Sequence, residues 1–550
     1  MPDWSRRFSP LGPGLVVLFG MVFLSNIMTS LRSGRLATPP AYDDVSYLAD
    51  AFERVAFAPG MGLSGVLKSF WESPPHAPVT TLTAMIGYSF LGPADVSAYL
   101  ANGWALALFI GFAAILSRPL ENPWLRLLLV GLLCYAPISR ALVTEFRPDM
   151  VGGLVFAIAI WAVTRTDFRS ASWRRLALAM ALGVASVVVK PTACIITIPG
   201  FGVACVATLL YQGFAIRTEN RSLIRGGIKA FILYCIFLLP FVIVFGESTR
   251  SYIYTVIFTY SDVWRTEGDL WFHLTFHLIG EGPVGALGPF RLIALALMLI
   301  DLALSLIRPS YRRIETIPYA ATLVVVYLAM SLSNEKTTYQ GSFFYMPLLF
   351  GGVAAFVHLV VKSSDRLSWL RSALTSVLAV AFAVAVLVMP LSGKPYSSLP
   401  DGEAARELRP LVAKAIARIY TEEWAGSDDC RAHMPRLAVT SPFPLTAESI
   451  KMEIARQYGL RIGIGVYYML RNMDEARPVM DSLDFVVTTV PYMPPNDYHF
   501  PILDIIPDIV AHLESQPDMQ RIEIGRYRGQ PYWLFARPLC KAAPAWKTPS

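Results

Sequence analysis

Charge is what this chain is short of. Only 16% of its 550 residues are Asp, Glu, Lys or Arg, against roughly 25% in an ordinary soluble domain. Hydrophobic residues make up 54%, and mean hydropathy is +0.48. That balance excludes a soluble protein, and the apolar runs are too many and too long for a single anchor. No basic cluster alternates with aromatics, so the net charge of +7 does not mark a nucleic-acid partner. Cysteine is scarce as well, at six. Cys134, Cys194, Cys205 and Cys235 lie inside apolar runs as small hydrophobes, and the spacing of Cys430 and Cys540 fits no zinc motif. Internal repeats and low-complexity segments are absent. The first apolar run follows Arg6-Arg7 and is long for a leader, and no small-x-small cleavage site precedes Arg32 and Arg35. It reads as an uncleaved signal anchor.

What the chain has in quantity is apolar segments. Eleven can be drawn, near 11–30, 97–117, 124–142, 150–164, 176–191, 192–211, 230–246, 287–307, 317–333, 343–361 and 370–392. Several fall short of the roughly 20 residues a crossing needs, so their ends reach into the flanks. The apolar stretch 79–91 is shorter still and reads as an interfacial or re-entrant helix. Basic residues gather in alternate loops: Arg6/Arg7, Arg118/Arg126, Arg165/Arg169/Arg174/Arg175, Arg217/Arg221/Arg225/Lys229, Arg308/Arg312/Arg313 and Lys362/Arg366/Arg371. The opposite loops are longer in total and carry fewer. Positive-inside therefore puts the N-terminus in the cytoplasm and, after eleven crossings, the C-terminal region outside.

Near Ser392 the composition turns polar. Helices are expected at 402–420, 447–458 and 507–515, and strands at 436–440 and 484–490. A hairpin, 521–527 with 531–537, turns at Arg528-Gly529-Gln530. The expected architecture is a polytopic α-helical membrane protein with about 11 transmembrane helices over 1–392, and a soluble α/β domain over 393–550. If that domain faces an oxidising compartment, Cys430 and Cys540 can pair.

Chemistry-bearing residues collect on the outer side. Asp43-Asp44 follows the first span, and Arg147-Pro148-Asp149, Lys190-Pro191-Thr192, the loop 247–289 and Asn334-Glu335-Lys336 share its face. Two adjacent carboxylates where an apolar wall meets water can act as a base or hold a metal; the plain alternative is a helix cap. A transporter tends to carry its ionisable groups near the midplane. Here only Asp301 and His358 lie within spans, and a satisfied or snorkelling polar side chain is the simpler reading of each. Cations and carboxylates at one rim suit a substrate that is lipidic and anionic, such as a polyprenyl phosphate carrying a sugar. Its tail needs an apolar groove, its phosphate needs Arg or Lys, and transfer of the sugar needs a carboxylate base.

The run Asp43-Asp44-x-x-Tyr47-x-x-x-Ala51 resembles the Asp-Glu-x-x-Tyr-x-x-x-Ala signature in the first outer loop of C-type (GT-C) glycosyltransferases. That group includes the aminoarabinose transferases of lipid A and the protein O-mannosyltransferases. Pro74-Pro75-His76-Ala77-Pro78 is similar to the group's Pro-Pro-Leu stretch, and Arg147-Pro148-Asp149 to its Arg-Pro-Asp element. Lys190-Pro191-Thr192 is similar to its Lys-Pro-Thr element, and Lys336 with Tyr345-x-Pro347 to its late outer loop. The matches cover 12–390 in order. The resemblance implies that Asp43 is the base of an inverting transfer and that Arg147, Lys190 and Lys336 meet the donor phosphate. It also implies that Asp149 orients the sugar. Asp44 stands where Glu is usual, which keeps the charge and shortens its reach. Each cation has a plain role as a snorkelling interfacial residue.

Further candidates for acceptor contact or a lid are Tyr47, His76, and Tyr260, Asp262 and Arg265 of the aromatic loop 252–281. The aromatics there stack on a sugar or simply form an interfacial belt. His273 and His277, four apart, lack a third metal ligand. No cofactor is required; a divalent metal is compatible with the acidic pair. The expected partners are a polyprenyl-phosphate-sugar donor, membrane lipids, and an envelope acceptor that is lipid, polysaccharide or protein, all at a bacterial inner membrane. A lipid-linked-sugar flippase, an O-antigen polymerase or ligase, and a non-catalytic scaffold remain the alternatives.

Overall fold

The computed structural model describes residues 11–40, 42–57, 62–216, 220–308, 311–363, 368–388, 399–424, 430, 433–440, 444–465, 467–489 and 500–538. Among them the chain forms two compact units. The first is drawn from Met1–Ser30, Phe70–Thr83 and Tyr99–Lys394, the second from Leu31–Ser69, Ala84–Ala98 and Pro395–Ser550.

The first unit is helical, and helices lie along the described parts of the eleven apolar segments. Among the described residues six helices are long and apolar enough to cross a membrane: Leu11–Ser33, Asp95–Leu116, Pro191–Phe214, Arg221–Thr259, Phe290–Ile307 and Ser342–Lys362. Pro148–Thr164, Thr316–Leu332 and Ser372–Leu387 are apolar but shorter. The segment expected as one span at 124–142 is broken. Pro123–Leu133 and Pro137–Thr144 meet at 68°, because Pro137 has no N–H to continue the ladder and pushes Ala136 to an extended ψ of 131°. The helix Pro78–Leu91 has 14 residues, about 21 Å at 1.5 Å per residue, too short to cross.

The helix Ser342–Ser363 is the hub of this unit, with 89% of its apolar window buried. Lipid offers helices no hydrophobic reason to associate, so close packing has to hold them. Glycines supply it on two sides. A Cβ on Gly153 of the helix Pro148–Thr164 would lie 2.3 Å from the Ser342 carbonyl oxygen, and one on Gly352 would lie 2.6 Å from Ala294 Cα of the helix Phe290–Ile307. The Phe350 ring packs tilted against Phe109 at 5.1 Å and edge-to-face against Phe112 at 4.7 Å. By contrast, the window of Arg221–Thr259 is only 17% buried and presents Phe231, Leu239 and Ile243 outward, as a lipid-facing helix does.

The second unit is built on a five-stranded sheet of order β2-β1-β3-β5-β4. Its strands are β1 Arg436–Val439, β2 Gly463–Ile464, β3 Phe485–Thr489, β4 Gln520–Tyr527 and β5 Gln530–Ala536. β1 runs parallel to β2 and β3, while β5 is antiparallel to β3 and β4. Alternation along the strands divides the core between the two faces. Phe485, Val487 and Leu534 join Val412, Ile416, Ile450 and Ile454 from the helices Leu399–Arg418 and Ala447–Tyr458. Val486 and Phe535 join Met480, Ile506 and Ile509 from Met473–Asp481 and Ile502–Glu514. The hairpin turns on two residues, Arg528 and Gly529, with φ of 49° and 80°, the pairing that matches strand twist; Gln530 already belongs to β5. β2, two residues long, and the helix Met473–Asp481 were not expected. Cys430 is disulfide-bonded; Cys540, its expected partner, lies outside the described residues.

The second unit also takes in the early segments that hold the acidic pair. The helix Tyr42–Ala56 packs along Ala447–Tyr458. Glu53 receives Lys451 at 2.5 Å and Arg461 at 2.8 Å, and Arg456 lies over the Phe52 ring and pairs with Asp95. Burial opposes ionisation of Glu53, but Lys451 and Arg461 together outweigh it and hold the carboxyl below its ordinary 4.5. A depressed carboxyl contributes stability above its unfolded pKa and loses it as pH falls through the folded one. Glu53→Gln is therefore expected to lower the thermal midpoint at pH 7. The gap to the wild type should close as pH is taken from about 5 toward about 3, measured by thermal unfolding in detergent.

Candidate functional site

The first unit contains a cavity of about 380 Å³. Asp149 and Lys190 stand at its polar side, and Ile195, Val256, Ile257 and Leu332 form an aliphatic wall. Local structure explains both charges. Arg147 is the N-cap of Pro148–Thr164, Pro148 fits the first helical position, and Asp149 falls in the first turn, where a helix favours an anion. Lys190 is the C-cap of Trp173–Val189, where a helix favours a cation. Pro191 then starts the next turn. The Lys190 ammonium donates to the Asp149 carboxylate, and both side chains are largely buried. The Ser342 hydroxyl donates to the Asp149 carbonyl at 2.7 Å, tying the hub helix to this corner. The ion pair is the centre of the cavity's chemistry.

The other predicted residues are distributed around this pair or away from it. The Arg147 guanidinium lies 4.0 Å over the Tyr339 ring, with Nε 3.8 Å from Glu145. The His76 ring packs tilted against Tyr252 at 4.4 Å between centroids, and Tyr252 lines the cavity. Burial first, and the Lys190 charge second, push His76 down to about 4 against a smaller upward pull from Asp149, so the ring is neutral at pH 7. Asp262 and Arg265 are exposed and Tyr260 is half-buried. Their neighbours Ser261 and Trp264 line the cavity. His277 is buried with Nδ1 2.9 Å from the Tyr345 hydroxyl, away from any pairing with His273. Among the described residues no three His, Cys, Asp or Glu side chains come together as a metal site.

Lys336 is engaged elsewhere. Its ammonium is buried and donates at 2.8 Å to the carbonyls of Met330 and Ser331, closing the end of the helix Thr316–Leu332 as a C-terminal cation does. Its backbone N–H donates to Thr266. The residues just before it, Ser333, Asn334 and Glu335, line the cavity, as does Gln340. Glu335 stands next to Lys336 in the sequence, but no spacing singled it out.

Asp43, Asp44 and Tyr47 belong to the second unit. They open the helix Tyr42–Ala56, with both carboxylates in its first turn. Asp43 is exposed, whereas Asp44 is 2% exposed and meets Arg35 at 3.0 Å. Tyr47 is buried one turn on. Within the hub unit, Asp301 and His358 form a hydrogen-bonded pair that also receives the Thr316 hydroxyl at 3.1 Å and Arg313 at 3.4 Å. Asp301 is satisfied in this way, as the simpler reading has it, whereas the buried His358 Nε2 finds no hydrogen-bond partner among the described residues.

No family model and no curated protein matches the chain. Among solved structures it is similar to ArnT from Cupriavidus metallidurans in the apo state, with TM-score 0.53 and 14% identity over 96% of this chain and 98% of that one. It is similar to the same protein bound to undecaprenyl phosphate, with TM-score 0.52 and 14% identity over 95% and 98%. It is also similar to the archaeal oligosaccharyltransferase AglB from Archaeoglobus fulgidus, in complex with an inhibitory peptide and a dolichol-phosphate. There the TM-score is 0.52 and the identity 11% over 88% of this chain and 70% of that one. Both proteins are C-type glycosyltransferases, and the likeness is one of fold: this chain has the C-type glycosyltransferase fold that its outer-loop motifs predict.

Burial lowers the Lys336 ammonium to about 8. The unfolded chain therefore binds the extra proton over the window from about 8 to about 10.5, and stability tied to this group rises with pH there. The thermal midpoint of the wild type is expected to gain on that of Lys336→Met across that window. A constant difference would mean that the ammonium is not desolvated at the helix end.

Proposed function

We propose that this chain is a membrane glycosyltransferase that moves a sugar from a polyprenyl-phosphate donor to an acceptor outside the cytoplasm. The membrane is of the bacterial inner type. It is crossed eleven times, with the N-terminus cytoplasmic and 393–550 outside. The observation that carries this reading is the cavity with a buried acid–base pair set against an aliphatic wall, in a chain of C-type fold. A polyprenyl phosphate needs both surfaces, and the two similar proteins were solved with such lipids bound.

The chemistry assigned to the residues is an inverting displacement. The Asp43 carboxylate takes the proton of the acceptor hydroxyl as that oxygen attacks the anomeric carbon. The bond from the anomeric carbon to the phosphate oxygen breaks, and the polyprenyl phosphate leaves with the electron pair. Lys190 stabilises the charge that grows on the phosphate. Arg147, held over Tyr339, is the second phosphate cation, and Asp149 accepts from a sugar hydroxyl while holding Lys190 in place. Lys336 supports the rim through the helix end it closes. The acceptor is an envelope lipid, polysaccharide or protein.

The test is transfer from radiolabelled polyprenyl-phosphate sugars into an envelope extract by purified protein, wild type against Asp43→Asn at matched folding. Transfer by the wild type that falls at least roughly a hundredfold in the variant is expected on removal of a general base. Equal transfer by both takes Asp43 out of the chemistry. Donor movement without any acceptor would replace the transferase by a flippase.

A further inference from the structure

The two carboxylates of the acidic pair are neighbours in sequence, yet their surroundings are opposite. Successive residues on an α-helix diverge by about 100°, so one can face the protein while the other faces water. Asp44 faces inward. It is 2% exposed, and its Oδ2 lies 3.0 Å from a guanidinium nitrogen of Arg35. Arg35 sits in the short 3-10 turn Arg35–Ala37 just before the helix and is itself mostly buried. Asp43 faces outward and is exposed. Beyond it lies Tyr468 of the same unit, whose hydroxyl is pushed up to about 12 by burial and by the charges of Glu448 and Asp43. Near the pair, then, Arg35 stands on Asp44, and Tyr468 and Glu448 lie within electrostatic reach of one another on the side of Asp43.

A buried carboxylate stays ionised only with a partner, and two adjacent carboxylates raise each other when both are ionised. The guanidinium resolves both conflicts at once. We propose that Arg35 is a positioning residue of the transferase: by holding Asp44 inside the unit as an ion pair it fixes the start of the helix Tyr42–Ala56 and leaves Asp43 as the carboxylate that meets the acceptor. This rests on the transferase reading above, in which Asp43 is the base. It divides labour within the acidic pair. Asp44 is the anchor, and the shorter side chain standing where Glu is usual is the one that reaches Arg35 rather than substrate.

Arg35→Gln, Arg35→Lys, Asp44→Asn and the double variant Arg35→Gln/Asp44→Asn would test this. In Arg35→Gln, kcat is expected to fall roughly tenfold to a hundredfold, the scale of a misplaced catalytic group, with the donor KM near that of the wild type. The acidic limb of kcat/KM should move up by roughly one pH unit, as loss of a neighbouring cation requires. Arg35→Lys should restore most of the rate and the limb. The double variant should return the limb toward the wild-type position, because it removes the uncompensated charge. An unmoved limb in Arg35→Gln would overturn the proposal, as would Asp44→Asn losing as much activity as Asp43→Asn. Thermal unfolding of the same four proteins decides independently of activity. Non-additive losses mean that the two side chains act as a pair, and additive losses overturn the proposal. Absence of wild-type transfer with every donor would overturn the transferase reading instead, leaving the unfolding cycle to report on the pair.

Discussion

Hydrocarbon does not solvate charge, and the helical unit is organised by that constraint. An ionisable side chain inside such a unit must be paired, moved to a helix end, or absent. All three solutions occur. Asp301 and His358 answer one another within the bundle and recruit Arg313 and Thr316. Asp149 and Lys190 sit where helix ends suit their signs and neutralise each other. Between Lys229 and Glu247 the outward helix Arg221–Thr259 carries no charged residue, and its exposed face there is aliphatic and aromatic. The corner where the paired solution meets an apolar wall is where a lipid phosphate can be received, so the rule that governs folding also selects the candidate site.

Packing does the rest. Without a solvent-driven force between helices, the hub helix Ser342–Ser363 depends on backbones coming close, and Gly153 and Gly352 allow it on two sides. The consequence reaches the cavity directly. The Ser342 hydroxyl that holds the Asp149 carbonyl reaches it because Gly153, one turn further along, has no side chain to keep the helices apart. Gly153 thus positions the acid of the ion pair without touching it.

Much of this was legible in the residues. Long apolar runs separated by arginines located the helices, because hydrophobic length is a direct physical requirement. In the polar region, alternation and turn residues located β1, β3 and the hairpin. The limits were equally physical. A two-residue strand such as β2 has no period to detect, and the 68° break at Pro137 needs a backbone effect that hydropathy does not register. At the site, Asp149 and Lys190 were picked out singly, 41 residues apart, and their contact had no trace in spacing. Lys336 was chosen for its charge, whereas the carbonyls of Met330 and Ser331 that it serves carry no sequence identity. Arg35 entered the sequence reading only as a landmark after the first apolar run, since nothing in the chain's order says that it turns back to Asp44.

The helix Tyr42–Ala56 packs on Ala447–Tyr458, and Gly402 lies against Thr38, so segments separated by several hundred residues complete one compact body. A chain made from its N-terminus exposes Leu31–Ser69 and Ala84–Ala98 long before the ribosome reaches the C-terminal residues that share their unit. During that interval Glu53 and Asp95 have neither Lys451 nor Arg456, and the helix that bears the acidic pair has no surface to lie on. The helix that bears the acidic pair therefore gains its packing partner only once the residues of Ala447–Tyr458 have been made.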